Sequence, residues 1–453
     1  MSEHLFQLDK IGQAHNNTRA YGTPGYAASS DYVLSQIPAE TFNVSRQFFT
    51  HTYHETRAIA VRGPDGEDVE VYSLMYNHAT PVPEGITAPL VALPVDDDRG
   101  SGCFADQWSD VTVADRLVLV KRGVCGIPDK IRLAKDHGAA GVILVHNTPL
   151  TPNVGTLSAS NIGKLVPLGL IPLSVGEAWF ARLAAGEKLT ATLLVDAFFE
   201  ERESWNILAD TVEGGEDNVI VLGAHLDSVP VGPGLNDDGS GVVAQIEIAR
   251  QLAHFHSYPN KIRLAFWGAE EQGLVGSLFY TSHLSASEAD AIRFYFNYDM
   301  IGSPVPVYGI YVGENPADMV GAQLLLDYLT SKGKPAYFGG FGTGSDYVGF
   351  LNLGIPSSGV QTGGGDPADL CYHLACDTLA NVNLDPLTNN TKAAAVAAAT
   401  LALSVEGLPR RMRNSMNPRR REAVRDQFAM WRMSALEAEL GHKCAHGHGD
   451  DLV

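Results

Sequence analysis

The amino-acid sequence predicts an α/β fold that carries a small β-rich inserted domain. Between about residues 205 and 405, segments typical of buried strands alternate with segments typical of helices. Alternation of this kind implies a sheet with helices on both faces. The strand-like runs are VIVLGA, IRLAFW and FYFNYD, and the helical runs are GVVAQIEIARQLAHF, LVGSLFYTSHL, ADMVGAQLLLDYLTSKG and TKAAAVAAATLALSV.

The region from about 75 to 195 differs in its sequence pattern from the rest of the chain. Its short β-type runs are separated by frequent Gly and Pro, and it contains one helical segment, PDKIRLAKDHGAAG. Before it, helices are predicted within 1–40, and strands at 42–62 and 68–76. We therefore predict one domain from 1–74 and 196–405, a β-rich domain at 75–195 inserted into it, and a C-terminal extension at 406–453 with an amphipathic helix at 418–440.

Composition and charge argue against two classes of function. The 453 residues include 32 Lys and Arg against 52 Asp and Glu, a net charge of −20. Such an acidic balance argues against a nucleic-acid partner. No apolar run approaches the roughly 20 residues that span a bilayer, so we expect a soluble protein with no membrane partner. The basic stretch RRMRNSMNPRRR is either a solvated connector or a segment that docks on an acidic surface or polyanion.

The cysteines bear on the cellular location. Two close pairs and one single cysteine suggest two local disulfides and a leftover thiol: Cys103, Cys125, Cys371, Cys376 and Cys444. Three glycosylation sequons are weak support for secretion, and the first residues do not look like a signal peptide. Two alternatives remain. Either the numbering begins at the mature N-terminus, with an added Met, or the protein is cytosolic and its thiols are reduced. We favour a secreted or otherwise extracytoplasmic protein.

Side chains that ligate metals follow three consecutive apolar runs, and others lie in a Gly-rich turn and in the segment CYHLACD. In an open α/β sheet, sites form at the carboxyl ends of the strands. Imidazole and carboxylate groups are zinc ligands that leave room for water. The sequence therefore predicts a two-metal hydrolase, with candidate residues His225, Asp227, Asp237, Asp238, Glu270, Glu271, Asp299 and His373.

Two points stay open at this level. Asp238 could be the metal ligand in place of Asp237. The pair Glu270 and Glu271 could be acids that only favour a helix N-terminus.

The segments HLDS, PGLNDDGSG, FWGAEEQGLVGS, NYDMIGS and CYH resemble those of the co-catalytic di-zinc aminopeptidases, similar to secreted leucine aminopeptidases of bacteria and fungi. The resemblance covers about residues 205–405. It implies a mixed, mostly parallel sheet of the zinc exopeptidase type and two Zn²⁺ ions per chain. The implied activity is hydrolysis of the N-terminal residue from peptide substrates with a free N-terminus.

The resemblance also implies a ligand set. Asp237 would bridge the two zinc ions. His225 and Asp299 would complete one site, and Glu271 and His373 the other.

Three further roles follow from the same resemblance. Glu270 would be the general base for a metal-bridging hydroxide, Asp227 would orient His225, and Tyr372 would donate to the developing oxyanion. Tyr372 could instead be an aromatic residue of the core. Asp238 would cap the helix that follows it, after a cis peptide bond.

A second resemblance covers about residues 75–195. The segments GSGCFADQW and LVLVKRGVCGIPDKIRLAKDHGAAGVILVHN resemble a protease-associated domain, which implies no chemistry of its own. It implies a disulfide between Cys103 and Cys125. In the first family, a disulfide between Cys371 and Cys376 would stiffen the loop that presents His373.

Other functions remain in competition with an aminopeptidase. A carboxypeptidase of the same clan needs Arg or Lys to bind a C-terminal carboxylate. No Arg lies between Phe294 and Leu408, although Lys332, Lys334 and Lys392 do. A single-zinc enzyme of the glutaminyl cyclase type and a non-catalytic, receptor-like binding protein on the same scaffold compete as well. One residue also departs from the pattern of similar enzymes. In the segment FGTGSDYVGF, Gly344 precedes Ser345 and Asp346, whereas similar enzymes often have Arg at that position.

Overall fold

The computed structural model of the protein describes residues 1–149 and 155–411. Contacts divide it into two units: Met1–His51 with the described residues from Arg202 onward, and Thr52–Glu201. The predicted boundaries at 75 and 195 stay a prediction. The predicted extension after residue 411, its helix at 418–440 and Cys444 lie outside the described residues.

Strands and helices alternate through most of the described chain. The strands are β1 (Phe42–Arg62), β2 (Asp68–Val69), β3 (Ile86–Ala92), β4 (Leu117–Lys121), β5 (Gly141–Val145), β6 (Leu168–Ile171), β7 (Thr190–Thr211), β8 (Gly215–His225), β9 (Asn260–Trp267), β10 (Ile292–Tyr298), β11 (Gly309–Tyr311), β12 (Tyr337–Gly339) and β13 (Ser357–Gln361). The helices are α1 (Ser2–Ala14), α2 (Pro24–Gln36), α3 (Asp106–Ser109), α4 (Ile127–Asp136), α5 (Leu173–Ala184), α6 (Gly239–Leu252), α7 (Val275–His283), α8 (Ala286–Ala291), α9 (Asp318–Ser331), α10 (Tyr347–Asn352) and α11 (Leu384–Leu403).

The sheet of the first unit runs in the order β12-β11-β13-β10-β8-β9-β7. The pairs β11–β12, β13–β10, β10–β8 and β8–β9 are parallel, whereas β11–β13 and β9–β7 are antiparallel. The predicted mixed, mostly parallel sheet is therefore confirmed.

Helices cover both faces of this sheet, as the sequence predicts. On one face, Phe294 and Phe296 of β10 join a core to which α1, α2, α6, α9 and α11 contribute. On the other face, Tyr295 stacks on Phe350 of α10 at 3.7 Å between ring centroids, and Trp267 of β9 lies 5.1 Å from Tyr280 of α7. Burial on both faces explains why these strands are continuous apolar runs.

The second unit is the small β-rich part of the fold. Strands β3, β4, β5 and β6 form parallel pairs, and β3 also pairs antiparallel with β7. Two separate apolar clusters are buried in this unit, one including Ile131 of α4 and the other Trp179 of α5. A disulfide joins Cys103 to Cys125, as the resemblance implied.

Two long strands each contain a division point between the units. β1 spans 21 residues and includes His51, and β7 spans 22 residues and includes Arg202. The predicted strand at 68–76 is reduced to Asp68–Val69, with an isolated bridge between Tyr72 and Leu170. Across residues 1–149 and 155–411, every helix is too short or too polar to cross a membrane.

Candidate metal centre

The predicted site residues lie where the central strands end. His225 is the last residue of β8 and pairs with Trp267, the last residue of β9. Asp299 directly follows β10, which is the other neighbour of β8. Glu270 lies three residues after β9. The register of parallel strands thus brings residues far apart in sequence to one edge of the sheet.

Five of these residues form two groups whose ligand atoms lie within 4.8 Å of one another. In the first group, His225 Nε2 lies 3.0 Å from Asp237 Oδ1 and 3.7 Å from Asp299 Oδ1. In the second, His373 Nε2 lies 3.1 Å from Asp237 Oδ2 and 3.2 Å from Glu271 Oε2. Asp237 therefore offers one carboxylate oxygen to each group.

The donor set fits zinc. Each group offers one imidazole and two carboxylates, the nitrogen and oxygen ligands that zinc takes in catalytic sites. Among the described residues, Glu271 Oε1 is buried without a hydrogen-bond partner. A buried polar atom left in this state costs free energy, which a bound cation would offset.

The electrostatics of the cluster also favour positive charge. Burial acts to lower the pKa of His225, but the carboxylates of Glu270, Asp237 and Asp299 raise it well above its usual value. Burial acts to raise the pKa of Asp237, yet hydrogen bonds from His225 and His373 hold it well below its usual range. The carboxylates therefore stabilise cations placed among them.

Asp227 holds the backbone of the glutamate pair. Its carboxylate accepts the backbone N–H of Glu270 at 3.0 Å and of Glu271 at 3.3 Å. Toward His225, its backbone oxygen lies 3.1 Å from Nδ1, whereas its carboxylate oxygen is 3.8 Å away. Burial raises the pKa of Asp227 to about 7. The contact with the imidazole is thus made through the main chain.

The carboxylate of Asp238 is occupied by backbone groups. It accepts N–H groups from Gly241 at 2.8 Å, His225 at 3.1 Å and Met300 at 3.3 Å. The bond from Gly241 caps α6, and the peptide bond between Asp237 and Asp238 is cis. This arrangement favours Asp237 over Asp238 as the metal ligand.

Glu270 belongs to neither group of ligand atoms. It is buried, and its Oε2 lies 4.0 Å from His225 Nε2. Burial, with repulsion from Asp346 and Glu271, raises its pKa well above the usual value. Glu270 is thus next to the two groups of ligand atoms without being needed to complete either of them.

Tyr372 lies at the solvent side of the cluster. Its ring stacks on that of His373 with 3.8 Å between centroids, and 37% of the residue is exposed. A disulfide between Cys371 and Cys376 closes the loop that carries both residues. Tyr372 is therefore not an aromatic residue of the core.

Two residues near the site were missed in the sequence. Ser345 Oγ donates to Asp299 Oδ2 at 2.6 Å, which leaves Asp299 Oδ1 facing His225. The adjacent Asp346 is buried, and burial raises its pKa to about 7. In the segment FGTGSDYVGF, Gly344 is the departure from similar enzymes, but the two polar residues after it are the useful signal.

Arg19 was also missed. It is fully buried, and its guanidinium donates to the carbonyl oxygens of Pro233 at 2.5 Å, Leu226 at 2.6 Å and Gly234 at 2.6 Å. These carbonyls belong to the loop between His225 and Asp237. No sequence pattern marks Arg19, because its partners lie more than 200 residues away.

Family models match two parts of this chain. The family model described as Peptidase family M28 matches residues 206–398, and that of the PA domain matches residues 86–179. The chain is 36% identical to the probable lipoprotein aminopeptidase LpqL of Mycobacterium tuberculosis, over 90% of this chain and 85% of that protein. It is 34% identical to aminopeptidase Y of Saccharomyces cerevisiae, over 87% of this chain and 75% of that protein.

Solved structures show the same fold. The aminopeptidase from Aneurinibacillus sp. strain AM-1 superposes with a TM-score of 0.74 at 27% identity, covering 91% of this chain and 98% of that one. A zinc aminopeptidase from Bacillus subtilis superposes with a TM-score of 0.64 at 25% identity, covering 90% of this chain and 97% of that one. The family and the PA domain expected from the sequence are thus confirmed. The chain belongs to peptidase family M28, and it carries an inserted PA domain.

Proposed function

We propose that this protein is a zinc aminopeptidase that holds two zinc ions and removes the N-terminal residue from peptides with a free N-terminus. The observation that carries the proposal is the placement of Asp237, whose two carboxylate oxygens face two different histidines. A carboxylate shared in this way is suited to bridging two cations. The names of the relatives, which are aminopeptidases, support the same activity.

The two groups of ligand atoms define where the zinc ions would bind. His225, Asp237 and Asp299 would hold one ion, and Asp237, Glu271 and His373 the other. Bound zinc would polarise the scissile carbonyl and make water a better nucleophile at neutral pH.

Glu270 is the proposed general base. Its carboxylate is close to the ligand cluster but is not needed to complete either group. It takes a proton from the attacking water and returns it to the nitrogen of the leaving amine. Asp227 supports this step, because its carboxylate fixes the backbone of both glutamates.

Tyr372 is the proposed donor to the oxyanion that develops on the substrate carbonyl. Its ring lies against His373 at the exposed side of the cluster, where a substrate would arrive. A phenolic hydroxyl is a hydrogen-bond donor of the kind that stabilises such charge.

The charge of the site supports recognition of a free amino group. The negative charge of carboxylates such as Glu270 and Asp299 would favour a positively charged substrate ammonium group nearby. Three lysines kept a carboxypeptidase among the competing functions, because one of them could bind a C-terminal carboxylate. Lys334 pairs with Asp385 instead, and Lys332 and Lys392 are exposed. Arg19 donates to three backbone carbonyls, so it is not positioned to bind a C-terminal carboxylate.

Zinc stoichiometry and peptide cleavage test the proposal together. We expect two zinc ions per chain, and release of the first residue from a leucine-containing peptide but not from its N-acetylated form. Cleavage of the acetylated peptide would reject the aminopeptidase assignment. Binding of a single zinc ion by the fully active protein would reject the two-zinc site.

We also propose an extracytoplasmic location. The two disulfides support it, because such bonds persist in oxidising compartments and are rare in the cytosol. The mass of the protein purified from its native source, measured after alkylation without reductant, tests this. Alkylation of Cys103, Cys125, Cys371 and Cys376 in that material would contradict it.

A further inference from the structure

Asp377 directly follows the disulfide loop that carries His373, and it is almost completely buried. Its two carboxylate oxygens have different partners. Oδ1 accepts the backbone N–H of Asn236 at 2.9 Å, and Oδ2 accepts the backbone N–H of Asp237 at 3.0 Å. The Asp377 carboxylate thus binds the main chain at Asp237, whose side chain is shared by the two groups of ligand atoms.

The same loop contacts Asp237 a second time. His373 Nε2 lies 3.1 Å from Asp237 Oδ2. In addition, the backbone N–H of Leu235 donates to the backbone oxygen of Asp377 at 3.1 Å. The two segments are therefore joined through backbone, through Asp377 and through the ligand side chains.

Neighbouring amides fix the orientation of the Asp377 carboxylate. Asn381 Nδ2 donates to Asp377 Oδ1 at 3.0 Å and also to Asp369. Asn236 Nδ2 donates to Asp369 Oδ2 at 2.7 Å. These buried and partly buried hydrogen bonds connect the residue before Asp237 with the segment after the disulfide, so Asp377 has little freedom to turn.

We infer that Asp377 is a positioning residue, which sets Asp237 and His373 at the separation that metal binding needs. The inference rests on the proposed two-zinc site and extends it to a residue that ligates nothing. A carboxylate can accept both N–H groups, whereas an asparagine amide has one acceptor oxygen and one NH₂ donor. In Asp377→Asn, one backbone N–H of the pair would face an NH₂ group and lose its acceptor.

Zinc affinity of Asp377→Asn, measured by competition with a chromophoric chelator, tests the inference. We expect the affinity of both zinc ions to fall about 10- to 100-fold, the range found when groups that orient metal ligands are removed. Turnover is expected to recover when zinc is added to saturation, because Asp377 does not touch the substrate.

Asp318→Asn is the matched control. Asp318 is also completely buried, and it accepts two backbone N–H groups, from Ser357 at 2.8 Å and Gly313 at 3.1 Å. Neither partner is a candidate ligand. We expect this variant to melt at a lower temperature but to bind zinc within about twofold of the wild type, since only the fold is perturbed.

The outcomes separate this inference from the proposed function. Unchanged zinc affinity in Asp377→Asn, or an equal loss in Asp318→Asn, would overturn the positioning role. A wild-type protein that binds no zinc would reject the two-zinc site itself. Should Asp377→Asn fail to fold, Asn381→Ala keeps the carboxylate but removes one of its hydrogen bonds. A smaller loss of zinc affinity is expected there, and no loss would count against the inference.

Discussion

Glu270 and Glu271 are adjacent in sequence, but their carboxylates point to different histidines. Glu271 Oε2 lies 3.2 Å from His373 Nε2, whereas Glu270 Oε2 lies 4.0 Å from His225 Nε2. Asp227 accepts the backbone N–H groups of both residues and so fixes the backbone from which the two side chains point apart. Two identical side chains thus receive different environments, and different roles are expected of them.

Replacement of each glutamate by glutamine separates these roles. Glu270→Gln is expected to retain both zinc ions and to lose about 10²–10⁴-fold in kcat, because the amide cannot accept the proton. Glu271→Gln is expected to lose zinc from the group that contains His373. Zinc stoichiometry and kcat, measured on both variants, check this. Retained turnover in Glu270→Gln would remove the general-base role.

Tyr372→Phe tests the oxyanion donor. Loss of the hydroxyl is expected to lower kcat about 10- to 10³-fold and to change KM little, because the interaction is made mainly in the transition state. The melting temperature should not change, since the residue is partly exposed. Tyr337→Phe on β12 is the control, because Tyr337 is similarly exposed and is expected to keep full activity. Equal kcat values in the two variants would contradict the role of Tyr372.

The two disulfides allow a paired experiment. Replacing Cys371 and Cys376 by Ser is expected to weaken zinc binding about 10-fold, because the loop that presents His373 is no longer closed. The same replacement of Cys103 and Cys125 is expected to destabilise the second unit by about 2–4 kcal/mol and to leave zinc affinity unchanged. Chelator competition and thermal unfolding distinguish the two. Equal zinc affinity in both double variants would show that the first loop needs no disulfide.

The site could be predicted best where candidate metal ligands directly follow a buried strand. The runs that become β8, β9 and β10 are apolar because helices cover both faces of the sheet, so their ends were visible in the sequence. Residues next to those ends, such as His225 and Asp299, could therefore be predicted to meet. Their proximity follows from strand order and register.

The supporting residues could not be predicted in the same way. Arg19 reaches carbonyls more than 200 residues away, and Asp377 reaches backbone N–H groups 141 and 140 residues away. Backbone partners carry no residue identity, so the sequence offers no pattern to search for.

Burial lowers the pKa of three histidines in the second unit. Burial lowers the pKa of His54 to about 4, with repulsion from His78 adding to the effect. Burial also lowers the pKa of His146 to about 4, with a further contribution from Arg122. The pKa of His78 is lowered by burial and by Lys135. In the unfolded chain, each would have the ordinary value of about 6.5.

These shifts predict that the second unit loses stability in acid. Well above pH 6.5, neither the folded nor the unfolded state binds these protons, so the full stability is present. As the pH falls from about 6.5 to about 4, the unfolded chain takes up protons that the folded unit cannot, and His54 alone accounts for up to about 3 kcal/mol. Thermal unfolding between pH 7 and pH 4 measures the loss, and His54→Gln is expected to flatten the dependence. A dependence equally steep in that variant would show that other groups cause the acid lability.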